Sequence, residues 1–343
     1  MLYTGIDLHK RSSYFTTVDE HGKVIKQMKI YNDPLRILNY FQDLNDQQKA
    51  VCECTIGWYW LTDLLKENNI QISIAHATML KAIAFAKVKT DKIDSFILAQ
   101  LLRMDFIPEA YILNPDLRAK RDLMRSRLML VQKRINCINS VHRLLEKFNL
   151  SDPNDLPDLY QLQYQNLDQQ VSVLEKQIKT LKKTLRKLII YNEDLQRILW
   201  LPGIGEVHGF SILLEIADIR RFPTVKNFFS YARLVPGARN SAAKTQHVFR
   251  KAGNKYLKIA FNNAAIDAIC LYPEIRKQYH RLSRKKGKHV ARTLIAKELS
   301  RIVYHLLYNK ADYDFTFKGV ELRKKTRRWP CSASPRIEMA EAG

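Results

Sequence analysis

The sequence predicts a mixed α/β domain at its N-terminal end, then a coiled-coil helical hairpin, then a mainly α domain. Three observations carry that prediction. Three short strands come first as a meander and give way to strands alternating with helices, the pattern of a mixed sheet with helices packed on it. Two long stretches in the middle repeat apolar residues at alternating spacings of four and three. From about residue 200 onward, apolar helical segments are interrupted by a Pro-Gly turn and by a loop bearing one serine. The divisions fall at 1–112, 113–197 and 198–315, with a tail over 316–343.

Residues 2–8, 12–19 and 23–30 read as strands, and Asp19-Glu20-His21-Gly22 supplies the turn between the last two. Asp33-Pro34 is a good N-cap and first helical position, so a helix follows. "AVCECT" (50–55) reads as a strand, 58–69 as a helix and 70–76 as a strand. Thr90 caps a helix from Asp91 to about Arg103. The alternation around Glu53 puts Cys52 and Cys54 on one side of their strand as plain thiols, and the five cysteines make no metal or disulfide framework.

In the middle region, Met124, Leu128, Val131, Ile135, Ile138, His142 and Leu145 form one seam. Tyr160, Tyr164, Leu167, Val171, Leu174, Ile178, Leu181, Leu185 and Leu188 form a second, continued by Leu195 and Leu199. Pro153 and Pro157 lie between them, so the two helices form a hairpin or pair with a second chain. Further helices are expected near 252–272 and 289–309, separated by the densely basic 276–289. The residues beyond 316 have no apolar periodicity and read as disordered.

The formal net charge is +23. Such a field attracts a polyanion, and nucleic acid fits better than a membrane surface because no basic amphipathic terminal helix is present. No apolar run is long enough to span a bilayer and no signal peptide opens the chain, which makes a cytoplasmic protein the expectation.

Four acids stand out against this background. Asp7 ends the first strand, and Glu53 lies in a strand able to pair beside it. Asp91 and Asp94 are three apart at a helix start and point to one side. Convergence of the four would be unfavourable without a cation, and Mg²⁺ suits carboxylate and phosphate oxygens. Singly, each acid is more often a cap or a surface charge. Pro202-Gly203-Ile204-Gly205 before a helix has the look of a helix-hairpin-helix turn, whose backbone N–H groups approach a phosphate, although many helix turns share it. Ser241 lies among Arg239, Lys244, Arg250 and Lys251, with His247 as a conceivable base; a serine capping a helix is the plainer reading.

The pattern G-I-D-x-H-K at the start, "CECTIGWYW" and "KTDKID" resemble the RuvC-like half of the DEDD insertion-sequence transposases. "LPGIG", "LVPGARNSAAK", "KAGNKYLK" and the basic helix after 284 resemble their C-terminal domain, in order, over roughly residues 3–310. The resemblance implies an RNase H/RuvC-like fold for the first domain and Mg²⁺ as cofactor. It implies Asp7, Glu53, Asp91 and Asp94 as the acidic tetrad and metal ligands, and Ser241 as the serine joined to DNA. The partners it implies are donor and target DNA, a non-coding guide RNA from the element, and further copies of the chain as a dimer or tetramer. Lys10, Gly203, Gly205, Arg239, Lys244, Arg284, Lys285 and Lys286 are the expected nucleic-acid contacts. Cys54-Thr55-Ile56-Gly57 stands where the family more usually has A-T-G, and Ala242-Ala243 replaces residues that are often glycine.

The expected activity is therefore RNA-guided recombination that cuts and rejoins DNA through a phosphoserine. A metal-only, structure-specific nuclease resembling junction resolvases is the alternative, and a nucleic-acid-binding scaffold with a dead acidic site is a third reading.

Overall fold

The computed structural model describes residues 1–44, 46–83, 90–241, 244–248 and 252–322. The chain divides into two compact units, Met1–Asp116 and Leu117–Gly343. The first is built on β1 (Leu2–Asp7), β2 (Ser12–Val18), β3 (Val24–Tyr31), β4 (Gln48–Glu53) and β5 (Gln71–Ala75). They form one sheet in the order β3-β2-β1-β4-β5, with β1–β2 and β2–β3 antiparallel and β1–β4 and β4–β5 parallel. This mixed sheet fits an RNase H-like fold.

The period of two along the strands sorts the faces. Ile6, Phe15, Cys52 and Ile74 point to one face, where they pack with Ile37 and Phe41 of α1 (Pro34–Gln42) and Leu61 and Leu65 of α2 (Trp58–Glu67). Val51 and Ala75 point the other way, toward Leu80 of α3 (Ala77–Ile83) and Leu98 and Leu101 of α4 (Asp91–Arg103). Asp33 caps α1 by accepting from the Arg36 N–H, as the sequence indicates.

The backbone of α4 lies unusually close to β1. A Cβ at Gly5 would sit 2.0 Å from the Ser95 carbonyl oxygen and 2.4 Å from the Ala99 nitrogen, so only glycine fits. Thr16, the register partner of Gly5, shares a buried 2.7 Å hydrogen bond with the Ser95 hydroxyl. One close contact and one hydrogen bond thus fix the first turns of α4.

The second unit begins with α5 (Pro115–Phe148) and α6 (Asp158–Ile189), joined through a 3₁₀ turn at Pro153–Asp155. The two helices run antiparallel. Arg134 meets Glu175 at 2.7 Å, Cys137 Sγ lies 3.6 Å from Gln170 Oε1, and the Phe148 and Tyr160 rings are 4.7 Å apart. Met124 at one end of the pair, with Leu185 and Ile189, joins the core of the C-terminal helices. These are α7 (Glu193–Leu199), α8 (Glu206–Ile216), α9 (Val225–Tyr231), α10 (Lys255–Leu271), α11 (Pro273–Lys286) and α12 (Lys288–Asn309). Two hairpins complete the unit, β6 (Gly237–Ser241) with β7 (Lys244–Val248), and β8 (Thr316–Phe317) with β9 (Val320–Glu321).

Several sequence expectations require correction. Cys54 lies beyond the end of β4 and is exposed while Cys52 is buried, so the two do not share a covered face. Ile135 is 40% exposed and His142 is exposed, whereas Val141 is half-buried and Arg134 pairs with Glu175 near the surface. Leu188 is 50% exposed, and Ile189 takes the buried position. Residues 113–197 and 198–315 share one unit rather than two, because the open end of the helical hairpin is buried in the C-terminal core. The start of the expected tail is ordered: Phe317 and Leu322 are buried in that core, and 323–343 lie outside the described residues. The basic stretch from 276 is largely helix α11, and α3 and α9 have no counterpart in the sequence prediction.

Gly5→Ala is expected to lower stability by at least about 1–3 kcal/mol, the usual cost of overpacking. Chemical denaturation followed by hydrogen exchange in β1 and α4 measures this; an unchanged midpoint would mean that α4 does not lie this close.

Candidate active site

The face that receives α4 is also the face of the acids. Asp7 is two residues beyond Gly5 and Glu53 two beyond Val51, so both point to the α4 side at the C-terminal ends of parallel neighbours β1 and β4. The register pairs Ile6 with Cys52, one residue before each acid. Thr90 caps α4, accepting from the Ile93 N–H at 3.3 Å, and so sets Asp91 and Asp94 in its first turn. A helix N-terminus also favours negative charge there.

Among the described residues, Asp7, His9 and Asp91 bring potential metal-binding atoms within 4.8 Å of one another. His9 Nε2 lies 3.1 Å from Asp7 Oδ2 and 3.3 Å from Asp91 Oδ1. Its backbone is held by two side chains: the His9 N–H donates to Ser13 Oγ at 3.3 Å, and Asn32 Nδ2 donates to the His9 carbonyl at 2.7 Å. Ser13 in turn donates to Asn32 at 2.7 Å, which closes the bracket. Glu53 and Asp94 stand outside the three-residue cluster. Asp94 is nevertheless close enough to act on Asp7 electrostatically.

Burial pushes the Asp7 carboxyl above its ordinary range, His9 pulls it back, and the charges of Asp91 and Asp94 push it up again. Such a group is frustrated when it ionises. An oxygen-rich donor set with mutual repulsion suits a hard divalent cation, and Asp7 and Asp91 are the residues best placed to hold one. Sequence reasoning does not single out His9, although its position two residues after Asp7 in "GIDLHK" is a signal.

The other expected residues lie elsewhere. Lys10 is exposed in the bend after β1. Gly203 has φ of +74°, and a Cβ there would be 2.0 Å from the Ala264 carbonyl oxygen, so its glycine is explained by packing on α10. Gly205 is exposed, with open space where its side chain would be. Arg284 and Lys285, with Lys277, His280 and Arg281, line a shallow concavity of about 460 Å³ along α11, and Lys286 ends that helix. Ser241 ends β6 in register with Lys244, and Arg239 pairs with Gln246. Ser241 is thus at a strand end rather than in an open loop or at a helix cap. Ala242 and Ala243 lie outside the described residues.

Two family models match the chain. The DEDD transposase model of the IS110 group covers residues 4–150, and that of the transposase IS116/IS110/IS902 family covers 195–280. A probable family 20 transposase of Pseudomonas aeruginosa is 23% identical over 90% of this chain and 97% of its own length. The transposase for insertion sequence element IS1328 of Yersinia enterocolitica is 21% identical over 74% of this chain and 80% of its own. The transposase for insertion sequence element IS1111A of Coxiella burnetii is 21% identical over 74% of each chain.

The raised Asp7 value has a consequence for stability. Its protonated form favours the fold, a contribution complete below the ordinary 3.8 and lost as pH rises through the higher folded value. Asp7→Asn should therefore raise the Tm of the cation-free protein at neutral pH and leave it unchanged well below the ordinary carboxylate range. Wild type should gain about 1.4 kcal/mol at Mg²⁺ ten times its Kd, and the variant should gain almost nothing. Thermal melts at the two pH values, with and without Mg²⁺, measure both effects.

Proposed function

Because this chain belongs to the DEDD transposases of the IS110 type and acts on DNA as an insertion-sequence transposase, we propose that it cuts and rejoins that DNA through Ser241. The observation that carries the proposal is the meeting of Asp7 and Asp91, from a strand end and a helix start, at one half-buried point. The Ser241 oxygen bonds to phosphorus as the bond from phosphorus to a deoxyribose oxygen breaks. The serine proton ends, by way of solvent, on the leaving oxygen. A deoxyribose hydroxyl of the second DNA then attacks the phosphoserine and returns the proton to Ser241, so bonds made equal bonds broken.

Asp7, Glu53, Asp91 and Asp94 would hold a divalent cation, Mg²⁺ in this reading, and the chemistry it would supply is neutralisation of phosphate charge. Arg239 and Lys244 flank the serine in the paired strands, and the basic face of α11 with Lys10 and the exposed turn at Gly205 grips sugar–phosphate backbone. Gly203 serves that turn through its packing. A non-coding RNA from the element selects donor and target by base pairing, which leaves the protein to read backbone and shape. Oligomer assembly uses the outer faces of the α5–α6 hairpin, where Ile135, Leu162 and Val173 are exposed.

Ser241→Ala should keep DNA and RNA binding but abolish both the covalent adduct on denaturing gels and recombination. Asp7→Asn or Asp94→Asn should slow adduct formation by orders of magnitude and respond partly to added Mg²⁺. Adduct or recombinant product from Ser241→Ala would overturn the proposal; DNA cleavage by that variant without adduct would favour the metal-only nuclease. Sequencing RNA that copurifies with the protein tests the guide.

Neutralising Arg284, Lys285 and Lys286 together should weaken binding about equally across DNA sequences. The slope of log K against log salt should fall by roughly one for each phosphate no longer neutralised. An altered sequence preference at constant slope would contradict a backbone grip. Leu162→Asp with Val173→Asp should reduce the particle to protomer mass in light scattering, and an unchanged mass would contradict assembly through those outer faces.

A further inference from the structure

The segment carrying Ser241 leaves from α9 and returns to α10 through a single root. There the Asn254 N–H donates to the Tyr231 carbonyl at 2.6 Å. Gly253 has φ of +99°, and a Cβ on it would lie 2.6 Å from the same carbonyl oxygen, so a larger residue would push the two stems apart. Asn254 is buried and bonds in both directions. Its Oδ1 accepts from the Tyr256 and Leu257 N–H groups at 2.9 and 3.1 Å, capping α10, while its Nδ2 donates to Glu215 Oε2 at 2.7 Å.

Glu215, on α8, is 3% exposed. Its two oxygens receive a bidentate pair from Arg125 of α5 at 2.6 and 2.7 Å. The Arg125 guanidinium also lies 4.5 Å over the Tyr256 ring. Arg221 donates to the Glu215 carbonyl at 3.2 Å and lies 4.6 Å over the Tyr231 ring. The Glu215 carboxylate of α8 thus joins Arg125 of α5 to Asn254 at the start of α10, while α9 is tied in through Tyr231, which meets Asn254 and Arg221.

An apolar cluster would hold these helices together at least as well, because desolvating an ion pair offsets most of its attraction. What the carboxylate adds is direction: each oxygen is committed to a donor of fixed geometry. We infer that Glu215, with Asn254 and Arg125, is a positioning residue that fixes the serine hairpin for strand transfer, and that Arg125 couples this position to the long helix α5. The inference rests on the reading of Ser241 as nucleophile.

Glu215→Gln keeps the side-chain volume and removes the charge. Adduct formation at saturating DNA should then slow roughly tenfold or more while the DNA Kd stays within about twofold, a split that a binding defect does not produce. Hydrogen exchange in peptides over 235–252 should rise in parallel. Asn254→Asp, which sets two carboxylates against each other, should be worse. Combined with Glu215→Gln it should recover, because the new glutamine amide can donate to the new carboxylate and α10 keeps its cap. Leu307→Ala, in the buried face of α12, serves as a control for general destabilisation and should leave adduct rate and hairpin exchange as in wild type. The inference is overturned if Glu215→Gln keeps the wild-type rate and exchange, if the control loses as much at equal Tm, or if the double variant is no better than Asn254→Asp. Ser241→Ala should show wild-type exchange and no adduct; an adduct from it would remove the reading of Ser241 itself, whatever the hairpin does.

Discussion

The approach of α4 to Gly5 governs the geometry of the N-terminal unit. With no side chain at position 5, the helix backbone descends until Ser95 and Ala99 meet the strand directly. The first turn of α4 is thereby brought level with the end of β1, and Asp91 comes within reach of His9 and Asp7. Any Cβ would lift the helix and carry Asp91 and Asp94 away with it. The Thr16–Ser95 hydrogen bond prevents the helix from sliding along the strand, and the Thr90 cap fixes where the helix begins. A site of several like charges needs such a frame, because the charges themselves favour separation.

The C-terminal unit solves a similar problem by other means. Its serine lies in a two-stranded hairpin, and a two-stranded element has little stability of its own. Orientation must come from the root, where Gly253 permits close approach and Asn254 ties the return strand to Tyr231. In both units a glycine whose missing side chain admits a backbone contact is paired with a polar side chain that sets register. The hydrophobic clusters hold the elements together; these polar contacts set the register of the segments that carry Asp91 and Ser241.

Much of this is legible in the residues. The meander, the Asp33 and Thr90 caps and the pairing of the Glu53 strand beside that of Asp7 are legible from local rules, and the structure agrees with them. Periodicity places Ile135 and His142 in the seam of α5, yet both are exposed, and the contact to α6 beside Ile135 is the Arg134–Glu175 pair, which a spacing rule does not register. Gly203 has the sequence setting of a phosphate-binding residue, yet its neighbour is the α10 backbone, remote in sequence. Helix α11 is hidden because its charge masks a sparse apolar stripe, of which Ile275 is the buried member. Glu215 and the link from His9 to Asp91 escape notice for the same reason: those partners are set by tertiary contact.

The charge of +23 and the acid cluster pull in opposite directions, and the fold keeps them apart in sequence. A phosphate brought to ionised Asp7, Asp91 and Asp94 is repelled, so the cluster cannot supply affinity for DNA. The open face of α11 where Lys277, Arg281 and Arg284 line a concavity, beyond Glu274 in the helix's first turn, carries the sign of charge that a polyanion requires. The acids themselves are half-buried and mutually repelling. His9 lies between Asp7 and Asp91, with its Nε2 at 3.1 and 3.3 Å from their carboxylate oxygens. The cluster is therefore held ready by one imidazole and a bracket of two polar side chains, Ser13 and Asn32. That arrangement explains why a loop as short as the one after β1 is tied so firmly in an otherwise exposed part of the surface.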